Sequence, residues 1–411
     1  MAVNFPEFVS LYPIAGLKIG TASAKIKAIE RDDLALFKLP AMSTCAAVFT
    51  RNAFCAAPII LAREHLKKNS PRWLLINSGN ANAGTGEAGL NDARACCEAV
   101  AALAGCEATQ VLPFSTGVIG TPLPVEKICA ALPTAFAHLE SDGWEKAARA
   151  IMTTDTLPKG ESIQIVINNH RVTITGIAKG AGMIKPDMAT LLVFIATDAT
   201  VETGVLQTCL QQAVATSFHR ITVDGDTSTN DTCLLMATGH STLPPITSIN
   251  DEAYLVLCGA ISELCQRLAK KVVRDGEGAT KFITIEVKQG RSQSECLKVA
   301  FAIAHSPLVK TAFFASDANW GRILAAVGST QLADFDINAV KIFLNEVCIV
   351  ENGGIAKSYR EALGQQVMAK AEIYVTVLLG RSGEGGVEYS ECIWTSDLSY
   401  DYVRINAEYR T

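Results

Sequence analysis

Hydroxyls set beside glycines are the residues of this chain best suited to chemistry. Lys179-Gly-Ala-Gly-Met-Ile-Lys-Pro-Asp-Met-Ala-Thr190 leads directly into the apolar run Leu191 to Ala196. Gly180 and Gly182 permit backbone shapes that side chains would forbid, Pro186 stiffens the approach, and the small Ala189 precedes the threonine. A threonine hydroxyl is a weak nucleophile without a base beside it. One way to supply the base is to make the threonine a new chain terminus whose own α-amine takes the proton, and that requires a cut between Ala189 and Thr190. On spacing alone, a Gly-rich loop entering a buried strand accounts for the same residues.

Other stretches repeat the theme. Phe114-Ser115-Thr116-Gly117 follows a short strand signal at Gln110 to Pro113, and a hydroxyl with a glycine N–H is a donor pair of the kind acyl transfer needs for its oxyanion. Met152-Thr-Thr-Asp-Thr156 clusters hydroxyls at a helix end, where they also satisfy local backbone groups. Asn77-Ser-Gly-Asn-Ala-Asn-Ala-Gly-Thr-Gly86 follows the buried-strand signal Trp73 to Ile76, as ligand loops do in open α/β layers. Asp275-Gly-Glu277-Gly places an acid between glycines, which suits either an ammonium ligand or an ordinary turn. Asp224-Gly-Asp-Thr-Ser-Thr-Asn-Asp231 begins like a calcium loop but lacks the closing glutamate spacing, so a metal reading is rejected. Ser316 to Arg322 offers polar and cationic groups for an anion or an interface, and its role stays open.

The elements that must position these groups can be read from hydrophobic period and punctuation. Gly16 to Gly20, Leu34 to Phe37 and Ala46 to Phe49 read as strands of one sheet. Helices are expected over 56–65, 91–104 with Asn91 as cap, 143–151, 205–217, 261–273, 323–327 and 399–406. Leu264, Leu268 and Val272 share one face of the 261–273 helix. A hairpin turns at Asn168-Asn169 between Ile163–Ile167 and Val172–Ile177, and further strands fall at 191–196, 282–287, 371–378 and 392–394.

With 411 residues, 49% of them apolar, the chain can bury a core large enough for two lobes. A net charge of -5 without a concentrated basic face argues against nucleic acid as a partner. Thirteen cysteines are scattered and lack zinc-site spacing, and six histidines show no ligand pattern, so neither metal nor cofactor is expected. Without a signal-like start or an apolar run of membrane-spanning length, a cytoplasmic protein is expected, with no membrane partner.

Taken in order, Gly-Asn-Ala-Asn, Ser-Thr-Gly, Thr-Thr-Asp-Thr, the Lys179–Thr190 stretch, Asp-Gly-Glu-Gly and the terminus resemble the ornithine acetyltransferase (glutamate N-acetyltransferase) family of arginine biosynthesis, essentially over the whole chain. The departures are mild: Ala181 where serine is frequent, and Asp187 where asparagine is frequent. The resemblance implies an α/β fold, a layered αββα sandwich like that of the self-cleaving aminopeptidases, with a smaller C-terminal α/β lobe. It implies self-cleavage at Ala189/Thr190 into chains 1–189 and 190–411 that interweave in one fold and assemble as an α2β2 heterotetramer. Thr190 would be the nucleophile, Thr116 and Gly117 the oxyanion hole, and Thr156, Lys179, Thr190, Glu277, Asn406 and Thr411 the substrate-binding set. Charge complementarity matches Lys179 to a carboxylate and Glu277 to an ammonium. The implied reaction moves acetyl from N2-acetylornithine to glutamate, and whether acetyl-CoA also serves as donor stays open. The alternatives are an N-terminal-nucleophile aminopeptidase or amidase of the same fold, and an uncleaved binding protein.

Overall fold

The computed structural model describes residues 2–8, 10–27, 31–185 and 191–408. The expectations placed on Ala189, Thr190 and Thr411 lie outside the described residues. The chain divides into a larger unit of residues 7–219 and 226–272 and a smaller one of residues 1–6, 220–225 and 273–411.

In the larger unit, β1 (Lys18–Ala22), β2 (Leu34–Lys38), β4 (Trp73–Asn80) and β5 (Val111–Val118) form one sheet in the order β1-β2-β4-β5. A second sheet has the order β3-β10-β8-β7-β6, from β3 (Thr44–Phe49), β6 (Lys159–Ile167), β7 (His170–Lys179), β8 (Leu192–Thr197) and β10 (Thr232–Ala237). The short β9 (Ile221–Thr222) lies between β8 and β10 in sequence but pairs in the smaller unit.

Strand alternation sends residues to two different cores. Ala35, Phe37, Leu74, Ile76, Leu112 and Phe114 meet Ile177, Leu192, Phe194, Leu234 and Met236 of the second sheet, so the two sheets pack face to face. Across that interface the Phe114 and Phe194 rings stand edge-on at 5.2 Å, a geometry worth about 0.5–1.5 kcal/mol beyond area burial. The opposite residues, Leu34, Leu36, Trp73, Leu75 and Val111, pack under α2 (Gly86–Ala104) and α3 (Val125–Ala137) through Ala93, Cys97, Val100, Ile128 and Leu132. On the outer face of the second sheet lie α5 (Thr203–Ala215) and α6 (Glu252–Arg274). A Cβ at Gly176 of β7 would come within 3.0 Å of Leu264 and 3.4 Å of Leu268, so that glycine lets α6 settle on the strand. The layers run helix, sheet, sheet, helix, as expected. At the edges between them sit α1 (Ala57–Lys68) and α4 (Trp144–Ala150), which also contribute to the inter-sheet core.

The smaller unit is α/β as well. Its seven-stranded sheet runs β14-β13-β12-β15-β11-β16-β9, where β11 is Phe282–Gly290, β12 Lys341–Leu344, β13 Val347–Glu351, β14 Gly354–Ile355, β15 Glu372–Leu378 and β16 Tyr389–Ser396. Its core joins Ile283, Ile285, Val375, Val377 and Ile393 of the sheet to α7 (Gln293–His305), α8 (Pro307–Phe314), α9 (Trp320–Gly328) and α10 (Glu361–Met368). The chain's last helix is α11 (Tyr400–Ala407). No single helix among the described residues is long and apolar enough to cross a membrane.

Three local expectations are corrected. The 46–49 strand does not join β1 and β2: β3 pairs with β10, forty-nine with 232, as an edge of the other sheet. The 91–104 helix starts at Gly86, and Asn91 lies inside it. Gly86 and Gly89 disguise the start by their low propensity, although a Cβ at Gly89 would collide with Thr85 Oγ1 at 1.9 Å and Asn82 Oδ1 at 2.4 Å. Finally, Thr116 and Gly117, expected to follow the strand signal at Gln110 to Pro113, belong to β5 itself.

Candidate active site

β4 and β5 are parallel, and an irregularity at Gly79–Asn80 shifts their register where they end. Gly117 lies against it with φ +136°, and a Cβ there would stand 2.3 Å from the Gly79 carbonyl carbon and 2.5 Å from the Asn80 nitrogen. Any side chain would force the strands apart, so the buried Thr116 is followed by an obligatory glycine. The loop after β4 is held by its asparagines. Asn77 Nδ2 donates to Asn80 O at 2.9 Å, Asn80 Nδ2 to Pro122 O at 2.9 Å, and Asn82 Nδ2 to Gly89 O at 2.8 Å. Ser115 donates to Asn77 Oδ1 at 2.6 Å. These side chains shape the backbone around Thr116.

Lys179 is the last residue of β7, and its buried Nζ donates to Thr116 Oγ1 at 3.2 Å. A hydroxyl that accepts from an ammonium keeps its single proton free to point elsewhere. The charge is balanced by Asp155, whose Oδ2 lies 4.0 Å from Lys179 Nζ. Asp155 Oδ1 accepts from Lys159 Nζ at 2.6 Å and from the Gly180 amide at 2.7 Å, while Oδ2 accepts from the Thr153 amide at 3.0 Å. Burial alone would push this carboxyl up. Lys159, Lys179 and the Thr153 amide outweigh burial and hold it well below the usual carboxylate range, so it stays ionised. Among the described residues the result is a buried cluster in which one anion stands between two cations. Thr156, next to Asp155, is exposed.

The Asp224–Asp231 loop ties these pieces together. Asn230 Nδ2 donates to Ala81 O at 2.7 Å and to Ser115 O at 2.9 Å, linking the β4 loop to β5. Asp231, fully buried at the start of β10, accepts the Leu191 amide at 2.9 Å through Oδ1. Burial pushes its carboxyl well above the ordinary range, against the opposing Leu191 amide and Lys179 charge.

In the smaller unit, Asn406 Nδ2 donates to Glu277 Oε2 at 2.7 Å. The turn carrying Glu277 is fixed from the other side: Ser399 Oγ donates to Gly278 O at 2.6 Å and caps α11 at Tyr402 N. Gly278, at φ +66°, has no room for a Cβ, which would meet Tyr402 N at 2.4 Å.

Of the expected site residues, Thr116, Gly117, Lys179 and the neighbourhood of Thr156 therefore meet in the larger unit, and Glu277 meets Asn406 in the smaller one. Sequence reasoning gave Asp155 and Lys159 no role of their own, and it took Asn230 and Asp231 only as members of the Asp224–Asp231 loop. An acid followed four residues later by a lysine reads as a solvated pair. The one usable signal was Asp231, an acid directly abutting the uninterrupted buried run Thr232 to Ala237. Among the described residues, no group of three or more His, Cys, Asp or Glu is placed to hold a metal.

The ArgJ family model matches residues 18–411. An arginine biosynthesis bifunctional protein ArgJ from Methylococcus capsulatus is 58% identical over 405 residues, covering 98% of this chain and 97% of the relative. The protein of that name from Pseudomonas fluorescens is 53% identical over 411 residues, covering all of both chains. A crystal structure of arginine biosynthesis bifunctional protein ArgJ from Bacillus halodurans is 34% identical, with a TM-score of 0.47 over 51% of this chain and 95% of that one. On matches that run almost from end to end, this chain belongs to the ArgJ family.

Proposed function

We propose that the chain is an acyltransferase of arginine biosynthesis that moves acetyl from N2-acetylornithine to glutamate through an ester on Thr190. Maturation begins when the Thr190 hydroxyl attacks the Ala189 carbonyl. Water hydrolyses the resulting ester, leaving chains 1–189 and 190–411 and an α-amine on Thr190. An unperturbed α-amine has a pKa of about 7.7–8.0, close enough to neutrality to take the hydroxyl proton and return it to the leaving amine. Thr190 then attacks the acetyl carbonyl, ornithine leaves as the free amine, and the amine of glutamate takes the acetyl group in the second half of a ping-pong cycle.

The observation that carries this reading is the buried Lys179–Thr116 contact. It lies between the hallmark stretch and the Thr116-Gly117 pair, and it leaves the hydroxyl proton available to a developing oxyanion. The family resemblance further assigns substrate binding to Thr156, Glu277, Asn406 and Thr411, with Glu277 suited by its charge to an ammonium. The relatives' designation as bifunctional supports acetyl-CoA as a second donor. A cytoplasmic α2β2 assembly fits the same reading.

Intact mass of the purified protein, followed by a donor comparison with glutamate as acceptor, tests it. Two chains beginning at Met1 and Thr190 and acetylglutamate formation from acetylornithine are expected, and Thr190→Ala should stay whole and inactive. A single uncut wild-type chain, or acetate release without acetylglutamate, would refute it.

A further inference from the structure

Two buried charges of the smaller unit have no part in the site described so far: Lys310 on α8, 4% exposed, and Asp397, 2% exposed, just after β16. Register explains what Asp397 meets. β16 pairs antiparallel with β11, Ser396 opposite Phe282, so Asp397 falls beside Lys281, at the end of the turn that carries Glu277. Its Oδ1 accepts the Thr280 amide at 2.8 Å and the Lys281 amide at 2.9 Å, and its Oδ2 accepts the Thr280 hydroxyl. Lys310 reaches the same strand end: Nζ donates to Thr395 Oγ1 at 3.2 Å and to Ser396 O, while its own carbonyl accepts the Leu398 amide at 3.3 Å. Burial lowers the Lys310 ammonium to about 8, and Asp397 and Asp224 are the carboxylates that oppose the shift.

The turn held in this way carries a carboxylate that lacks a countercharge. Glu277 is 8% exposed, takes part in no ion pair among the described residues, and accepts there only from Asn406 Nδ2. Asn406 Nδ2 spends its other hydrogen on Tyr402 O at 3.0 Å, which leaves Oδ1 as the unused atom of that amide. Acceptors alone remain, which suits an ammonium and not a carboxylate. A buried carboxylate is costly unless a cation meets it, and the meeting requires that its direction be fixed. Ser399 holds the turn at Gly278, and Asp397 holds it at Thr280 and Lys281.

We infer that Asp397 is a positioning residue for the substrate's ammonium group: its carboxylate clamps the Thr280–Lys281 end of the turn and thereby aims Glu277, while Lys310 secures the strand end from which Asp397 projects. This rests on the assignment of Glu277 to an ammonium in the reading proposed above.

The test compares Asp397→Ala with Asp397→Asn. Alanine removes the acceptor of three hydrogen bonds. Asparagine keeps an oxygen for the two amides and offers an NH2 that the Thr280 hydroxyl can accept, so the turn stays clamped. Ornithine is titrated into each purified protein by calorimetry, and KM and kcat for acetylornithine are measured alongside. For Asp397→Ala, the Kd for ornithine and the KM for acetylornithine are expected to rise about tenfold or more, the cost of one misaligned charge-assisted hydrogen bond, with kcat at saturation little changed. Asp397→Asn should stay within about threefold of wild type. In a Glu277→Gln background, where the aimed charge is already gone, Asp397→Ala should add less than about twofold.

A wild-type Kd in Asp397→Ala overturns the inference, and so do equal losses in the alanine and asparagine variants. A loss that persists undiminished in the Glu277→Gln background overturns it as well, since Asp397 would then act elsewhere. Glu277→Gln that binds ornithine as the wild type does overturns the underlying assignment of Glu277 instead, so the two failures are distinguishable. Should Asp397→Ala not fold, Thr280→Val takes its place. It removes the hydroxyl's bond to Oδ2 and leaves both amide bonds, so a Kd about threefold higher is expected, and an unchanged Kd overturns the inference.

Discussion

Replacing Lys179 by methionine separates two roles that one lysine could play. If its ammonium holds a substrate carboxylate, the loss falls on KM. If it polarises the Thr116 hydroxyl, the loss falls on kcat. The geometry favours the second, because Nζ is buried and stands 3.2 Å from Thr116 Oγ1. Removing an oxyanion-hole donor outright lowers kcat by about 10²–10³. In Lys179→Met the hydroxyl survives without its charged partner, so a loss of about tenfold to a hundredfold is expected, or about 1.4–2.7 kcal/mol. The fold should hold, since Asp155 retains Lys159 at 2.6 Å and the Gly180 amide at 2.7 Å. Steady-state kinetics with acetylornithine and glutamate measure the split, and intact mass at timed intervals reports the proposed self-cleavage, whose tetrahedral intermediate calls for oxyanion donors of the same kind. Slower cleavage and lower kcat at little-changed KM are expected. Normal cleavage and normal kcat with a KM raised tenfold or more would refute the reasoning and return Lys179 to carboxylate binding.

Asp155→Asn should destabilise by about 3–5 kcal/mol in urea unfolding, because Lys159 and Lys179 would be left buried without their anion. In the wild type the depressed Asp155 carboxyl contributes stability that is complete above the ordinary aspartate pKa of about 3.9 and is lost as the pH falls towards its lower folded value; a variant stability that falls as steeply as the wild type's over that acid range would count against the cluster. Gly117→Ala places a methyl 2.3 Å from the Gly79 carbonyl carbon at φ +136°, so a loss of about 2–5 kcal/mol in stability and severe loss of cleavage are expected from overpacking plus backbone strain. A soluble, cleaved and active alanine variant would show that the β4–β5 ends are looser than they look.

Local chemistry was readable where one short stretch decides the outcome. Asn168 and Asn169 adopt φ +48° and +66°, the left-handed pair that a two-residue hairpin needs and that asparagine tolerates. Leu264, Leu268 and Val272 are fully buried on α6, as their spacing required. What stayed hidden depends on partners distant in sequence. Nothing within Thr44–Phe49 says that it pairs with Thr232–Ala237 and not with the strands just before it. Asp155 and Lys159 look like surface charge until β6 and β7 bury them, and Lys179 acquires its meaning only from Thr116, sixty-three residues earlier. In a site built from strand ends, the groups are adjacent in space because strands are adjacent in a sheet, and a linear reading of spacing does not carry that.

The strand order β3-β10-β8-β7-β6 gives the proposed cut a further meaning. Of its strands, β8 and β10 would belong to the later fragment and the rest to the earlier one, so one fragment is clamped on both flanks by the other. Before scission, assembling that sheet is a unimolecular event within one tether. Afterwards, a denatured mature enzyme could rebuild it only through a bimolecular encounter, whose rate falls with dilution. Maturation then works as a ratchet: the uncut polypeptide is the efficient folding species, and the active one owes its persistence to how slowly the clamped strands come apart.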